Sequence, residues 1–399
     1  MIKVGIIGGG ATGLICASLL SKNKGIQVDI IEKDNRVGKK ILQTGNGRCN
    51  FTNMKVKPSN YNDPNFVKPV LQEYSPFVIR NYFSSLGLIS YEDSEKRCYP
   101  LSDSANSVLD VLRNVCRINN VLEKTSHEVI EIVKHKNKYK VFCKFNSTED
   151  ATYEYDYLVL ATGGSLKKIE FIENMGLKYT NLKQSLCAIK ANVSGLNGIR
   201  CNTKASLFIN GQLKKSELGE VLFKDGALSG IVIFNLSAYL SRLSSFTNAR
   251  VELDLLPNFN EKEFNQMWDS QIKNLKNSTI ELLLIGLFPK MLALSILKQA
   301  NINSNKLVKD ISKKEMDCLK EKCRKLSFDV KDNYASNNYQ VVSGGISLKE
   351  INPSFELVKY PNIFVGGELL DIDGDCGGFN LHFAFASGLK IAENIKNKQ

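Results

Sequence analysis

The 399-residue chain carries 53 Lys and Arg against 41 Asp and Glu, a formal charge of +12, with 43% hydrophobic and 24% charged residues. That apolar share excludes a disordered chain, and the length predicts two or three domains. No apolar run is long enough to cross a bilayer, the chain enters a strand at once so that no signal peptide is expected, and the ten cysteines form no C-x-x-C pair, which together predict a reduced cytoplasmic protein.

Residues 3–34 have the form of a complete βαβ unit. An apolar strand over 4–7 runs into Gly8, Gly10 and Gly13, an apolar helix starts near Ala11 and Thr12, a second strand covers 28–31, and Glu32 stands at its end beside Lys33. Each glycine has a mechanical job: Gly8 makes the tight turn, Gly10 lets backbone N–H groups approach a pyrophosphate, and Gly13 lets helix and strand pack closely. The pyrophosphate would lie on the positive end of the helix. Glu32 follows Gly13 by 19 residues, the spacing at which a carboxylate reaches the ribose hydroxyls of an adenosine.

A Gly- and Asn-rich loop over 39–53 comes next. Residues 66–86 are predicted helical, with Phe66, Val70, Leu71, Tyr74, Phe77, Val78, Tyr82 and Phe83 near 3.6 spacing and Pro76 as a break point. A further helix is predicted over 102–118, opened by Ser102, Asp103 and Ser104, all good N-caps. Residues 121–160 alternate apolar and polar across turn signals and predict a meander of antiparallel strands, Val129 lying on the strand 128–133. An apolar strand over 157–160 ends in Ala161, Thr162, Gly163 and Gly164. An insert over 190–338 reads as mostly strands across 191–256 and as helices across 261–326. The chain closes on a strand, an acidic glycine-rich turn and a helix over 362–388.

These segments resemble FAD flavoproteins of the two-dinucleotide-binding-domain type and, more narrowly, the aminoacetone-oxidase-like family with its bile-acid-reductase-like branch. The family run Gly-Arg/Lys-Lys-Ile-Leu-x-Thr-Gly-Asn-Gly-Arg-Cys-Asn-Leu-Thr-Asn is matched over residues 38–53, with Phe51 in place of Leu. Its ending Gly-Glu-x-Leu-Asp-x-x-Gly-x-x-Gly-Gly-Tyr-Asn-Leu-Gln is matched from Gly367, with Phe379 for Tyr and His382 for Gln. The resemblance implies an α/β fold: a discontinuous Rossmann-like FAD-binding domain, residues 1–189 and 339–399, with an inserted β-rich substrate-side subdomain, 190–257, and a helical subdomain, 258–338. It also implies cofactor contacts at Lys39, Lys40, Thr44, Gly45, Asn46, Gly47, Arg48, Cys49 and Asn50, and at Gly367 and Asp371. Backbone groups at Val129 would meet the adenine, and Glu368 would accept the ribityl hydroxyls. The helix start at Gly377, Gly378, Asn380 and Leu381 would present N–H groups to the flavin N1/O2 edge, where a helix dipole stabilises the charge that appears on reduction. Residues 223–236 resemble the family's Phe-Thr-His-x-Gly-Leu-Ser-Gly-Pro, but Lys224 and Asp225 stand for Thr-His and Ile231 for Pro, so no histidine role carries over.

His127, His135 and His382 are scattered and adjoin no Cys/Asp cluster of ligand spacing, so neither a metal site nor a Ser-His-Asp centre is expected. The lysines are spread through Lys-Asn-rich helices and loops without interleaved aromatics, so no nucleic-acid partner is expected. No second Gly-x-Gly-x-x-Gly unit follows, since 342–345 lacks an apolar helix after it, and NAD(P)H is therefore expected only as a transient electron donor. Cys49 and Cys376 lie in loops expected to contact the flavin, and packing accounts for them better than a redox pair does. The expected activity is hydride transfer between flavin N5 and a small organic substrate lying between the cofactor domain and the insert. Two forms fit: amine or amino-ketone oxidation by oxygen, and NAD(P)H-dependent reduction of an enone. The catalytic residues over the flavin and the oligomeric state are not written in the sequence. The rival classes are a flavin-dependent RNA-modifying protein and a flavin redox sensor without turnover.

Overall fold

The computed structural model describes residues 1–332 and 338–398, and the chain divides into two compact units, residues 1–183 with 341–399 and residues 184–340. In the first unit, β1 (Ile2–Ile7), α1 (Ala11–Leu20) and β2 (Ile26–Ile31) form the βαβ element. The strands run parallel from Ile2 opposite Ile26 to Ile7 opposite Ile31. Val4, Ile6, Val28 and Ile30 are buried, because a parallel sheet is covered on both faces; that is why its strands read as apolar runs rather than as alternations.

The chain continues through α2 (Lys39–Gln43), β3 (Thr52–Asn53), α3 (Pro64–Glu73) and α4 (Pro76–Ser85). Pro76 divides the stretch expected to be helical: it sits at the first position of α4, where a missing N–H costs nothing, and the Ser75 side chain accepts from the Val78 N–H. β4 (Ser90–Glu92) and β5 (Arg97–Pro100) make a small antiparallel sheet in the order β3-β5-β4. α5 (Ala105–Ile118) begins after Ser104, whose side chain makes no cap bond.

β6 (Leu122–Lys124), β7 (His127–His135), β8 (Lys138–Phe145), β9 (Glu149–Tyr155), β10 (Tyr157–Leu160) and α6 (Glu170–Asn174) follow. Here the structure corrects the expected meander over 121–160. Only β7, β8 and β9 pair antiparallel, while β6 runs parallel to β2 and β10 parallel to β1. β6 is Leu-Glu-Lys and β10 is Tyr-Leu-Val-Leu, and runs of three or four residues carry too little pattern to tell a parallel strand from an antiparallel one.

The second unit holds most of β11 (Lys183–Cys187), then β12 (Ile189–Ala191), β13 (Arg200–Ile209), β14 (Gln212–Lys224), β15 (Ala227–Ser229), α7 (Ile231–Ser241), β16 (Ala249–Asp254), α8 (Glu261–Asn274), α9 (Ile280–Ile285), α10 (Lys290–Ala300), α11 (Lys313–Arg324) and β17 (Leu326–Asp332). Six of its strands close a barrel in the order β12-β15-β14-β13-β16-β17. Within the stretch expected to be strands, α7 is a helix. Its Ile/Val/Phe content favours strands, but Val232, Ile233, Leu236 and Leu240 are buried with Asn235 and Ser237, and a helix buried on most sides shows no helical period.

The chain returns through β18 (Tyr339–Ser343) and β19 (Ile363–Val365) to α12 (Phe379–Asn397). The parallel sheet then reads β19-β10-β1-β2-β6. α12 crosses α1 closely: a Cβ at Gly388 would stand 2.5 Å from Ile15 Cγ2 and 2.7 Å from the Thr12 carbonyl oxygen. Phe383, Phe385 and Ile391 are buried on α12, each stabilising by roughly 1.5–3 kcal/mol. No described helix is long and apolar enough to cross a membrane.

Candidate cofactor site

The three glycines of the first turn differ in what surrounds them. A Cβ on Gly8 would lie 2.4 Å from the Ala161 carbonyl oxygen, and one on Gly13 would lie 2.0 Å from the Gly8 carbonyl oxygen. Close packing forbids a side chain at both. A Cβ on Gly10 would meet nothing within 4 Å. Gly10 is the N-cap of α1, no side chain caps it, and no acidic residue stands in the first turn. The first N–H groups of a helix have no partners within it, so the open space beyond Gly10 adjoins a positive, unsatisfied helix end.

Glu32 lies beside this turn. Its Oε2 accepts from the Gly9 N–H at 2.8 Å and its Oε1 from the Asp34 N–H at 2.9 Å. The exposed Lys33 joins Ser126, Glu128, Lys144, Asn146 and Ser147 around a cavity of about 310 Å³. Val129 is buried on β7, opposite Cys143.

Lys39 pairs with Asp34 at 3.2 Å. Lys40 Nζ donates to the Gly164 carbonyl at 2.8 Å and stands 3.9 Å from Glu368 Oε2. Glu368 Oε1 accepts from the Val342 N–H at 2.9 Å, and a Cβ on Gly164 would press on the Glu368 carboxyl at 2.6 Å. Lys40, Gly163, Gly164 and Glu368 therefore converge. Next to them Thr162 Oγ1 is buried with no hydrogen-bond partner among the described residues. Thr12 Oγ1 donates to the Ala384 carbonyl at 3.0 Å and would touch a Cβ on Gly367, tying the start of α1 to α12.

The start of α12 is built from segments far apart in sequence. Gly378, its N-cap, has φ +96, and no side chain caps the helix. A Cβ there would lie 2.6 Å from Asn50 Oδ1 and 2.8 Å from the Thr52 carbonyl oxygen. Asn50 is 8% exposed, yet its Oδ1 has no donor among the described residues. The Asn380 side chain closes the preceding loop, accepting from the Gly374 N–H at 2.8 Å and donating to the Gly374 carbonyl at 3.0 Å. Asn380 thus offers its backbone, not its side chain. Leu381 is partly exposed in the first turn.

Sequence reasoning missed residues 60–62. Asn62 Nδ2 donates to the Asp371 carbonyl, Asn62 Oδ1 accepts from the Asp373 N–H, and the Tyr61 hydroxyl donates to the Phe379 carbonyl at 2.9 Å. Nothing in the run Ser-Asn-Tyr-Asn-Asp marks it as more than a loop.

His382 is buried and its Nδ1 lies 2.8 Å from Thr52 Oγ1. Burial lowers its pKa to about 4, so the ring is neutral at physiological pH. Burial also pushes the Cys49 and Cys376 thiols up to about 12, so neither is a thiolate at neutral pH. None of the ten cysteines is in a disulfide.

A family model described as HI0933-like protein Rossmann domain matches residues 2–394. The chain is 30% identical to the 3-dehydro-bile acid delta(4,6)-reductase of Clostridium scindens, over 97% of each chain. It is 27% identical to the ribosomal RNA dihydrouridine synthase of Haemophilus influenzae, over 98% of each. Among solved structures, the 3-ketosteroid delta1-dehydrogenase of Sterolibacterium denitrificans superposes over the whole of both chains with TM-score 0.52 at 12% identity, a likeness of fold. None of these relatives bears the narrower aminoacetone-oxidase name. The chain belongs to the HI0933-like Rossmann-domain family, a family of FAD-dependent oxidoreductases.

Proposed function

We propose that the first unit binds FAD along Gly10, Glu32, Gly164 and the start of α12, and that the reduced flavin saturates a C=C bond conjugated to a carbonyl. One observation supports this above the others: α1 and α12 both open on glycines with no capping side chain, and Thr12 holds the two starts together. The buried, unpartnered Asn50 Oδ1 and Thr162 Oγ1 beside them fit a polar group that the chain does not itself supply. When bound, FAD supplies hydride chemistry at N5 of its ring. The N–H groups at Ala11 and Thr12 would hold the pyrophosphate, and Glu32 would accept ribose hydroxyls. The positive end of α12 favours negative charge beside it. The neutral His382 does not donate a proton at neutral pH, so a protonating group belongs elsewhere.

The reaction class rests on two relatives' names. A delta(4,6)-reductase of a 3-oxo compound and a dihydrouridine synthase both act on a C=C bond in conjugation with C=O. A small enone reduced at the expense of NAD(P)H is the substrate proposed here. The test is anaerobic stopped-flow at the flavin band, with NADH and NADPH as donors and a 3-oxo-Δ4 steroid as acceptor. Release of FAD on denaturation and enone-driven reoxidation of the flavin are expected. Recovery of FMN alone, or a flavin indifferent to every enone, would defeat the proposal.

A second reading has its own support. Residues 184–340 carry 22 Lys and Arg against 15 Asp and Glu, +7 of the total +12, and one relative is named for ribosomal RNA. The expectation of no nucleic-acid partner is therefore withdrawn. Uracil presents the same conjugated C=C–C=O unit. RNA retention that falls steeply with salt, together with loss of uridine in retained RNA, would favour it.

A further inference from the structure

The loop over 44–50 presents Arg48 in an unusual way. Gly45, Asn46, Gly47 and Cys49 have φ of +57, +55, +83 and +58, so four of the five residues from 45 to 49 are in left-handed backbone. Asn and Cys in that region are strained, and strain of this kind persists where the surroundings hold it and clusters at ligand sites. The loop leaves the exposed Arg48 guanidinium 4.6 Å above the Tyr99 ring. Tyr99 in turn stacks on Tyr91 at 6.0 Å, and the Tyr91 hydroxyl donates to Asp103 Oδ1 at 2.6 Å. The result is a fixed shelf with a cation on top.

Three cations on or beside the β3-β5-β4 sheet have carboxylates. Arg80 and Lys96 share Glu92 at 2.7 and 3.3 Å, and Arg97 pairs with Asp93 at 2.7 Å. Arg48 has no ion pair or hydrogen bond from its side chain among the described residues, and the carboxylates around the shelf are engaged, Asp103 by Tyr91 and Asp93 by Arg97. A guanidinium stacked by its face keeps its N–H edge free, and that edge matches the two oxygens of a carboxylate or phosphate. The shelf also adjoins the start of α12. A Cβ at Gly45 would lie 2.8 Å from the Asn50 N and 3.5 Å from Tyr99 Cε1, and Asn50 faces Gly378.

We infer that Arg48, which the family resemblance gives to the cofactor, serves instead, seated on Tyr99, as an anion-anchoring residue of the substrate site, binding an oxyanion that the substrate carries. The inference rests on the flavin reading above and adds the charge of the substrate. The carboxylate of a small acid and the phosphate of a nucleotide share this chemistry, and separate probes distinguish them.

The experiment titrates the FAD-loaded protein with benzoate, with inorganic phosphate and with neutral benzamide, following the flavin difference spectrum. Benzoate or phosphate should perturb the flavin and benzamide should not; whichever anion does so names the source. Arg48→Met should weaken that anion by roughly tenfold, Arg48→Lys less, and Tyr99→Leu by roughly threefold, with FAD affinity unchanged in each. Arg48 is exposed, so its two variants should fold, and they keep the test valid should the buried Tyr99→Leu not fold. Anion binding that is absent in wild type or undiminished in Arg48→Met overturns the inference. So does a roughly tenfold loss of FAD affinity in Arg48→Met, which would assign Arg48 to the cofactor's own phosphates. A preparation that takes up no flavin would instead sink the cofactor reading, and calorimetric titration with the same anions would still judge Arg48.

Discussion

Helices α8 and α11 begin differently from α1 and α12. α8 opens with a capping box in which Asn260 and Glu263 satisfy each other's backbone N–H groups, and α11 does the same with Ser312 and Glu315. There the chain answers its own unsatisfied donors, and the helix start serves stability. α1 and α12 open on Gly10 and Gly378 with no cap, which leaves their positive ends for a group from outside. An open start alone does not make a site. α7 also starts uncapped, at Gly230, but a Cβ there would strike the Glu220 carbonyl oxygen at 2.5 Å. Gly10 has empty space beyond it, and Gly378, though packed against Thr52, has the unpartnered Asn50 Oδ1 beside it; these features separate a ligand end from a merely packed one.

The largest effect should come from closing the packed glycine. Gly13→Val places carbon 2.0 Å from the Gly8 carbonyl and should cost more than about 4 kcal/mol. Urea unfolding or soluble yield reads it, and a variant of wild-type stability would show that α1 does not lie this close to its strand.

His382 comes next. Its folded pKa of about 4 lies below the ordinary histidine value of 6.5, so its contribution is present above pH 6.5 and lost as pH falls toward 4, on the order of 3 kcal/mol in all. His382→Gln should flatten that part of the stability–pH curve. An unchanged slope would place the titrating group elsewhere.

Ser312→Ala removes a true cap and should cost about 1 kcal/mol while leaving FAD affinity alone. If FAD retention falls with it, the division between capped and open helices does not hold.

The smallest change in stability belongs to Gly10→Ala. With φ −86 and nothing within 4 Å of the new Cβ, the variant should match wild type or gain up to about 1 kcal/mol. FAD affinity should nevertheless fall roughly tenfold. Flavin fluorescence titration beside urea unfolding separates the two, and a folded Gly10→Ala protein with normal FAD affinity would remove the pyrophosphate from this turn.

The features legible in the amino-acid order are those whose causes are local. The βαβ unit with Gly8, Gly10, Gly13 and Glu32 was legible because turn, helix start and acid lie within one short span. Pro76 as the break between two helices was legible because a fixed φ and a missing N–H act on their own neighbours. Tertiary structure alone decided which distant segments meet. Thr52 reaches His382 across 330 positions, Asn62 reaches Asp371 across 309, and Asn50 comes to rest against Gly378. It also decided that β6 and β10 join the parallel sheet and that the apolar run in α7 coils. Hydrophobic pattern records how much of a segment is buried, not against what, so only folding could show that these contacts converge on one helix start.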